Sequence, residues 1–381
     1  MLFARHSANR GNIKNVAAER KQLRGVRGVI VHTLGEQQVY RRTMPSKPVA
    51  ILDTNIWSRI GEEGSAPRLR DLFRTNDLDV ALPPSILLEV LRGSNTELRN
   101  RRIEAMLEVR GRRLASEAEL CSDDFVGLIN RHRPQWMRVI KDVSTIAKHH
   151  RYWTKDIWRQ AGRDSSEVRV RLMADDGPVE DWIYHLQRQH RQNQLEYSLG
   201  RDFAGARVSA KDAAFANLFL GGWDGNWVDL WRLQTGDQYW QVASTVDRYP
   251  REGFFQTFID WIGSRVDLRA MTANPEDFRA LWFETVTPTE VRRDWIRAAV
   301  RFIQTTMKIK KSNSRDEQHS AYLVDSDFFL SGDAAFIDTL NSVQSQAPFT
   351  FAKPILVKMA PSGSTLESIE RAISDRPRDR T

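Results

Sequence analysis

Strand–helix alternation at the two ends of the chain, with a long helical stretch between, constrains this sequence more than any other feature. Pro48-Val-Ala-Ile-Leu52 is a short apolar run entering Asp53, with the length and flanks of a buried parallel strand. Residues 66–75 read as a polar helix and Asp79–Leu82 as a second strand. Pro83-Pro84-Ser85 then opens a helix over Ile86–Arg92, stopped by Gly93. Thr96–Val109 reads as a charged amphipathic helix ending at Gly111. From residue 314 the same grammar returns: a helix over Ser314–Val324, a strand over Phe328–Leu330, a turn at Gly332-Asp333, a helix over Ala334–Val343 and a strand over Pro354–Val357. Alternation of this kind predicts an α/β fold with a central, mainly parallel sheet.

The texture between these ends is different. Eleven of the twelve tryptophans lie between residues 130 and 310, and apolar residues recur at three- and four-residue spacing, as in Trp153-Ile157-Trp158 and Val291-Trp295-Ile296-Val300. The expected organisation is a discontinuous α/β domain over 48–129 and 311–358, interrupted by a mostly helical, Trp-rich insertion over 130–310. A basic arm (1–47) precedes it, and a helix fraying into a tail (359–381) follows.

Charge and cysteine content narrow the function classes. The 381 residues carry a formal charge of +8, and residues 1–48, with ten Lys/Arg against Glu19 and Glu36, hold all of it. The remaining 47 basic and 47 acidic residues cancel. Such an arm fits phosphate contacts with nucleic acid, a solvated tail, a transit peptide, or sequence upstream of a translation start at Met44. Cys121 stands alone, which excludes an internal disulfide and a CxxC zinc site and fits a reducing, cytoplasmic setting. No apolar run approaches bilayer length, so no membrane partner is expected.

Carboxylates carry the chemistry. Asp53 sits where a parallel strand ends, the edge at which ligands bind in open α/β sheets, and it also fits a helix cap. Glu89 has apolar neighbours on nearly every side of its helix, costly for a carboxylate unless it is paired or metal-bound; Arg92 offers an ion pair at i+3. Asp316 falls in the first turn of its helix, where the dipole favours a negative charge. Ser314 and Glu317 fit a capping box. Asp333 repeats the setting of Asp53, and Asp325 and Asp327 lie just before it. Carboxylates gathered at one sheet edge raise each other's pKa unless a cation lies between them. Oxygen-only ligands suit Mg2+ or Mn2+, which activate water in phosphodiester hydrolysis.

In order and setting, these residues resemble the PIN-domain nucleases. Ile51-Leu52-Asp53-Thr54-Asn55 matches the family's opening strand–Asp motif, Val80 to Glu89 its second strand and glutamate, and Asp316 with Ser331-Gly-Asp333-Ala-Ala-Phe336 its closing pair. The resemblance implies a PIN-like three-layer fold and a Mg2+- or Mn2+-dependent endoribonuclease. Asp53, Glu89, Asp316 and Asp333 would hold metal, with Asp327 nearby, and Thr54, Asn55 or Ser331 would steady the site. It also implies a toxin or defence role; on the insertion it is silent, and that stretch is expected to shape substrate access, bind a protein inhibitor or partner, or recognise a structured RNA. The motifs cover less than half the chain. Glu89 and Asp316 stand 227 residues apart, far more than in compact members, which leaves Asp123 or Asp124 as alternatives for the third carboxylate.

Other chemistries find less support. His149-His150 and His185/His190 lack the i, i+3 or i, i+4 spacing of a helical metal pair. Nothing local makes Cys121 a nucleophile, and neither GxGxxG nor GxxxxGK[ST] occurs. A phosphatase using Asp53 as nucleophile would want a second Asp where Asn55 stands. The helical Trp residues read as core, with Trp223 and Trp227, in the loop around Gly225, as candidates for base stacking. A non-catalytic binding module with the insertion as its recognition element is the alternative, favoured if Asp316 does not approach Asp53.

Overall fold

The computed structural model describes residues 47–173, 200–209, 227–244, 256–307, 313–359 and 363–374, with positions 188, 191, 192 and 223. The basic arm, Met44, Trp182, His185, His190 and the last seven residues lie outside these.

Five strands form one wholly parallel sheet in the order β3-β2-β1-β6-β7. They are β1 (Val49–Leu52), β2 (Asp79–Leu82), β3 (Arg112–Arg113), β6 (Phe328–Ser331) and β7 (Lys353–Leu356). A separate two-stranded ribbon pairs β4 (Arg207–Val208) with β5 (Val228–Asp229). β1 lies at the centre, with Ile51 opposite Ala81 of β2 on one side and Phe329 of β6 on the other. All four of its residues are buried, as a parallel strand covered on both faces requires. The expected strands are therefore present. β3 is an addition: two arginines carry no strand signal, and the strand exists because Gly111 lies against β2, where a Cβ would meet the Val80 carbonyl at 2.8 Å.

Helices join the strands. α1 (Thr54–Glu63) and α2 (Ala66–Thr75) link β1 to β2. Gly64, in the left-handed region at φ 62°, ends α1. α3 (Pro84–Arg92) and α4 (Thr96–Val109) link β2 to β3. Further on come α5 (Glu117–His132), α6 (Val143–Arg151), α7 (Ile157–Arg163), α8 (Ser165–Met173), α9 (Leu230–Ser244), α10 (Gln256–Gly263), α11 (Leu268–Thr272), α12 (Pro275–Ala280) and α13 (Arg292–Thr305). α14 (Asn313–Ser320) leads into β6, α15 (Ala334–Gln344) joins β6 to β7, and α16 (Thr365–Ser374) follows. α1 and α2 pack on α4 and α16, while α13 packs on α14 and α15. The arrangement is compatible with a three-layer α/β fold, and no described helix is long and apolar enough to cross a membrane.

The helical stretch shares its core with the sheet layers. One buried apolar cluster runs from Val49 through Trp158, Trp231, Trp282 and Trp295 to Ile373. Phe125 of α5 stacks on Tyr239 of α9 at 4.0 Å, and Trp282 stacks on Tyr239 at 5.6 Å. Each buried indole removes about 200 Å² of surface from water, on the order of 5 kcal/mol at 25 cal/mol per Å². The core reading of the helical tryptophans thus holds for Trp136, Trp153, Trp158, Trp231, Trp261, Trp282 and Trp295. Trp223 packs edge-on against Phe283 at 5.1 Å, and Trp227 is 63% exposed.

A charged network crosses this core. Arg297 of α13 is 1% exposed. Its Nη2 lies 2.9 Å from Glu117 Oε1 and 3.1 Å from Glu317 Oε1, and its Nη1 lies 3.5 Å from Asp294 Oδ1. Arg301 adds a second grip on Glu317, Nε to Oε2 at 2.9 Å and Nη2 to Oε1 at 2.5 Å. The expected capping box therefore does not describe Glu317: both its oxygens are taken by arginines that anchor α14 to α13. Arg293 binds Asp325 through both terminal nitrogens, with Asp124 3.3 Å from its Nε.

Burial raises the pKa of Asp124 to about 7, with the charges of Asp294 and Asp325 adding and that of Arg293 opposing. Burial likewise raises Glu119 to about 7 against the hydrogen bond from His150, and Asp237 to about 6. These acids keep their protons in the folded state at pH values where an unfolded carboxylate has lost them, so folding takes up protons. Their contribution to stability is then highest below about pH 4, where both states are protonated, and falls as pH rises through 7. The midpoint of thermal unfolding in EDTA is expected to be lower at pH 8 than at pH 5, and Asp124→Asn to flatten that slope; an unchanged slope in this variant contradicts the assignment.

Candidate metal centre

The carboxyl edge of the sheet gathers residues from both ends of the chain. Asp53 follows β1, Glu89 projects from α3 after β2, Ser331 ends β6, and α14 carries Asp316 and His319. One ligand atom each from Asp53, Glu89 and His319 all lie within 4.8 Å of one another.

Asp53 is buried and does two jobs. Its Oδ1 accepts the Thr54 N–H at 2.7 Å and caps α1. Its Oδ2 accepts from Ser331 Oγ at 2.5 Å and from Asn55 Nδ2 at 2.7 Å. Asn55 in turn accepts the Gly332 N–H at 2.9 Å, tying the start of α1 to the end of β6. Thr54 Oγ1 donates to Glu89 Oε2 at 2.6 Å. Thr54, Asn55 and Ser331 thus hold the two carboxylates in place.

His319 lies on the inner side of α14 with its side chain 2% exposed. Its Nδ1 is 2.8 Å from Ser85 Oγ and its Nε2 2.9 Å from Glu89 Oε2. Arg315 Nη1 sits 3.5 Å from Glu89 Oε1. Asp316 accepts from Gln304 Nε2 of α13 at 2.8 Å.

The electrostatics reflect this crowding. Burial raises the Asp316 pKa to about 8; His319 opposes the rise, and Asp53, Glu89 and Asp333 add to it. Asp316 is not one of the three residues whose ligand atoms lie within 4.8 Å of one another, a departure from the expected ligand set of Asp53, Glu89, Asp316 and Asp333. Burial also raises Asp53, against the pull of His319 and Ser331. Glu89 is the exception. Burial works against its charge, yet the hydrogen bond and charge of His319, with Thr54 and Arg315, bring it down to about 2. Burial alone would lower His319, but Glu89, Asp53 and Asp316 outweigh it and raise its pKa.

Two expected residues stand differently. Asp333 is exposed at the rim and caps α15, its Oδ1 accepting from Ala335 N at 2.8 Å and Phe336 N at 3.1 Å. Asp327 is not near the site. It precedes β6, and its Oδ2 accepts the Val49 N–H at 2.7 Å at the amino edge of the sheet, about 13 Å away along the four-residue strand. The residue before a parallel strand and the residue after it lie at opposite edges, so Asp327 cannot join Asp53. The alternatives to Asp316 are engaged elsewhere, Asp123 by Arg265 at 2.5 Å and Asp124 by Arg293. Cys121 is fully buried, and burial with the charge of Asp294 holds its thiol pKa well above the ordinary range, which makes it inert.

His319, Ser85, Arg315 and Gln304 are the residues sequence reasoning missed. For His319 a signal existed: it stands three residues after Asp316 on one helix, the Asp-x-x-His spacing that brings two side chains to one face.

The donor set fits a divalent ion. Two ligand atoms about 2.1–2.2 Å from one centre and at right angles are about 3.0 Å apart, and His319 Nε2 and Glu89 Oε2 are separated by 2.9 Å. The 4.8 Å limit on the remaining pairs asks the side chains to close by a few tenths of an ångström from the roughly 4.3 Å of opposed ligands. No family model, curated protein or solved structure matches the chain.

Proposed function

We propose that this protein is a divalent-metal-dependent endonuclease that hydrolyses phosphodiester bonds in RNA, with the PIN-like site its motifs resemble. The observation that carries the reading is the meeting of Asp53, Glu89 and His319 within 4.8 Å of one another in a cluster at the carboxyl edge of a parallel sheet, with Asp316 on the same helix as His319. His319 and Arg315 offset part of the negative charge of these carboxylates, and Mg2+ or Mn2+ would offset more and supply the polarising power that makes water a nucleophile toward a phosphodiester. Asp53, Glu89 and His319 would hold the ion. Ser331 and Asn55 fix the Asp53 carboxylate, Thr54 fixes that of Glu89, and Gln304 fixes that of Asp316. Asp333 stands at the rim, where its Oδ2 makes no hydrogen bond among the described residues. The test is a cleavage assay on labelled single-stranded RNA, structured RNA and DNA with Mg2+ or Mn2+ and EDTA controls; no metal-dependent cutting of any of them ends the nuclease reading.

A polyanionic substrate suits a second feature. A groove of about 610 Å³ runs beside β3, its charged lining made of Arg110, Arg112, Arg113, His150 and Lys155 with one acid, Asp325, which Arg293 pairs. No carboxylate pairs with Arg110, Arg112, Arg113 or Lys155 among the described residues; Arg113 lies over the Trp158 ring at 5.6 Å and Arg112 donates to the Asp325 carbonyl at 3.3 Å. β3 is two strands from β1, about 10 Å across the sheet. Replacing Arg110, Arg112 and Lys155 by Gln is expected to weaken RNA binding in EDTA and to flatten its salt dependence by about 0.7 in log–log slope for each phosphate no longer neutralised. Unchanged affinity and slope would remove the groove from the substrate path.

The alternative, a non-catalytic binding module with a protein partner or inhibitor on the helical stretch, draws on one observation. Val139, Ile140 and Val143 are exposed together, at 101%, 84% and 53%.

A further inference from the structure

We propose that His319 is a direct metal ligand through Nε2, and that its nitrogen makes the site favour a first-row transition ion such as Mn2+ over Mg2+. This deepens the metal-dependent reading above and rests on it. The expectation from sequence was a set of oxygen ligands alone. The structure instead puts an imidazole nitrogen at the centre of the carboxylates.

Three observations carry the inference. The first is orientation. The ring is buried on α14, and Ser85 Oγ at 2.8 Å from Nδ1 leaves Nε2 as the atom facing the cluster. An outer hydrogen-bond partner on the second ring nitrogen is the arrangement that fixes metal-binding histidines. The second is spacing. The 2.9 Å between Nε2 and Glu89 Oε2 is the edge of an octahedron with ligands at about 2.1 Å. The third is chemistry. Mg2+ prefers oxygen and retains its waters, whereas the first-row transition ions accept an imidazole nitrogen more readily, Mn2+ being the weakest binder among them and the one with a spectroscopic readout.

The experiment loads the full chain with Mn2+ and reads nitrogen coupling by pulsed electron paramagnetic resonance. Directly bound 14N is expected in the wild-type spectrum. In His319→Gln it is lost, with Mn2+ affinity by calorimetry down at least about tenfold and Mg2+ affinity changed less than that. Ser85→Ala, which frees the ring without removing it, keeps the nitrogen signal and binds Mn2+ more weakly. Bound Mn2+ without nitrogen coupling in the wild type overturns the ligand assignment and leaves the nuclease reading standing. A spectrum of free aqueous Mn2+ alone overturns the metal-dependent reading itself.

Discussion

Asp53→Asn is expected to lower metal-dependent RNA cleavage by more than about 100-fold, beyond the 10–100-fold that loss of an outer partner of a metal site costs. The substitution keeps the size of the side chain and removes one carboxylate oxygen from the centre. That oxygen is the one Ser331 and Asn55 hold at 2.5 and 2.7 Å. Asp316→Asn is expected to lose cleavage as well, with little change of fold, because an amide oxygen still accepts from Gln304. The pair of variants separates readings that wild type alone leaves together. Loss in both supports a site completed by α14. Loss in Asp53→Asn alone moves the third carboxylate away from Asp316. Wild-type rates in Asp53→Asn would end the nuclease proposal, whatever metal binds.

Arg297→Met is expected to cost about 3–5 kcal/mol of stability, the penalty of leaving buried charge unpaired. Arg297 stands between Glu117, Asp294 and Glu317, all buried, and Tyr239 already commits its hydroxyl to Asp294 Oδ2 at 2.6 Å. Methionine fills the space and offers none of the three a positive charge. Arg301→Met is expected to cost less, since its side chain is 22% exposed and Arg297 still reaches Glu317. Urea unfolding of both variants reads this; a loss under about 1 kcal/mol in Arg297→Met, the range of an exposed ion pair, would refute it. The network also has a bearing on chemistry, because Glu317 adjoins Asp316 and lies two positions from His319.

Much of the fold is legible because parallel strands announce themselves. β1, β2, β6 and β7 are short apolar runs, and α2, α4 and α15 end within a residue of where the sequence predicts. β3 is not, since its two arginines are a strand only through pairing with Ala81 and Leu82. The place of α13 is not legible either: its apolar face reads as part of the helical stretch, but what it covers is α14 and α15, which only the fold decides. In the site, Asp53, Glu89 and Asp316 can be read from their positions after strands and in helix turns. Asp327 is close to Asp333 in sequence alone, a nearness that strand direction overrides. Glu317 fits a local pattern that two arginines from another helix outbid. His319 escapes because its spacing to Asp316 pairs unlike residues, whereas paired histidines are the more familiar signal.

The sheet joins β1 to β6 across 278 residues, the separation of Ser331 from Asp53. Contacts this distant are slow to form, because the loop must close before the pairing stabilises anything. They also set an order of events during synthesis. A growing chain that has exposed Asp53 and Glu89 to solvent still lacks α14, β6 and therefore Asp316, His319 and Ser331. It holds half a site on a sheet whose central strand has a neighbour on one side only. A centre built this way stays incomplete until synthesis has passed Ser331. The long separation thus acts as a timer on the assembly of the cluster.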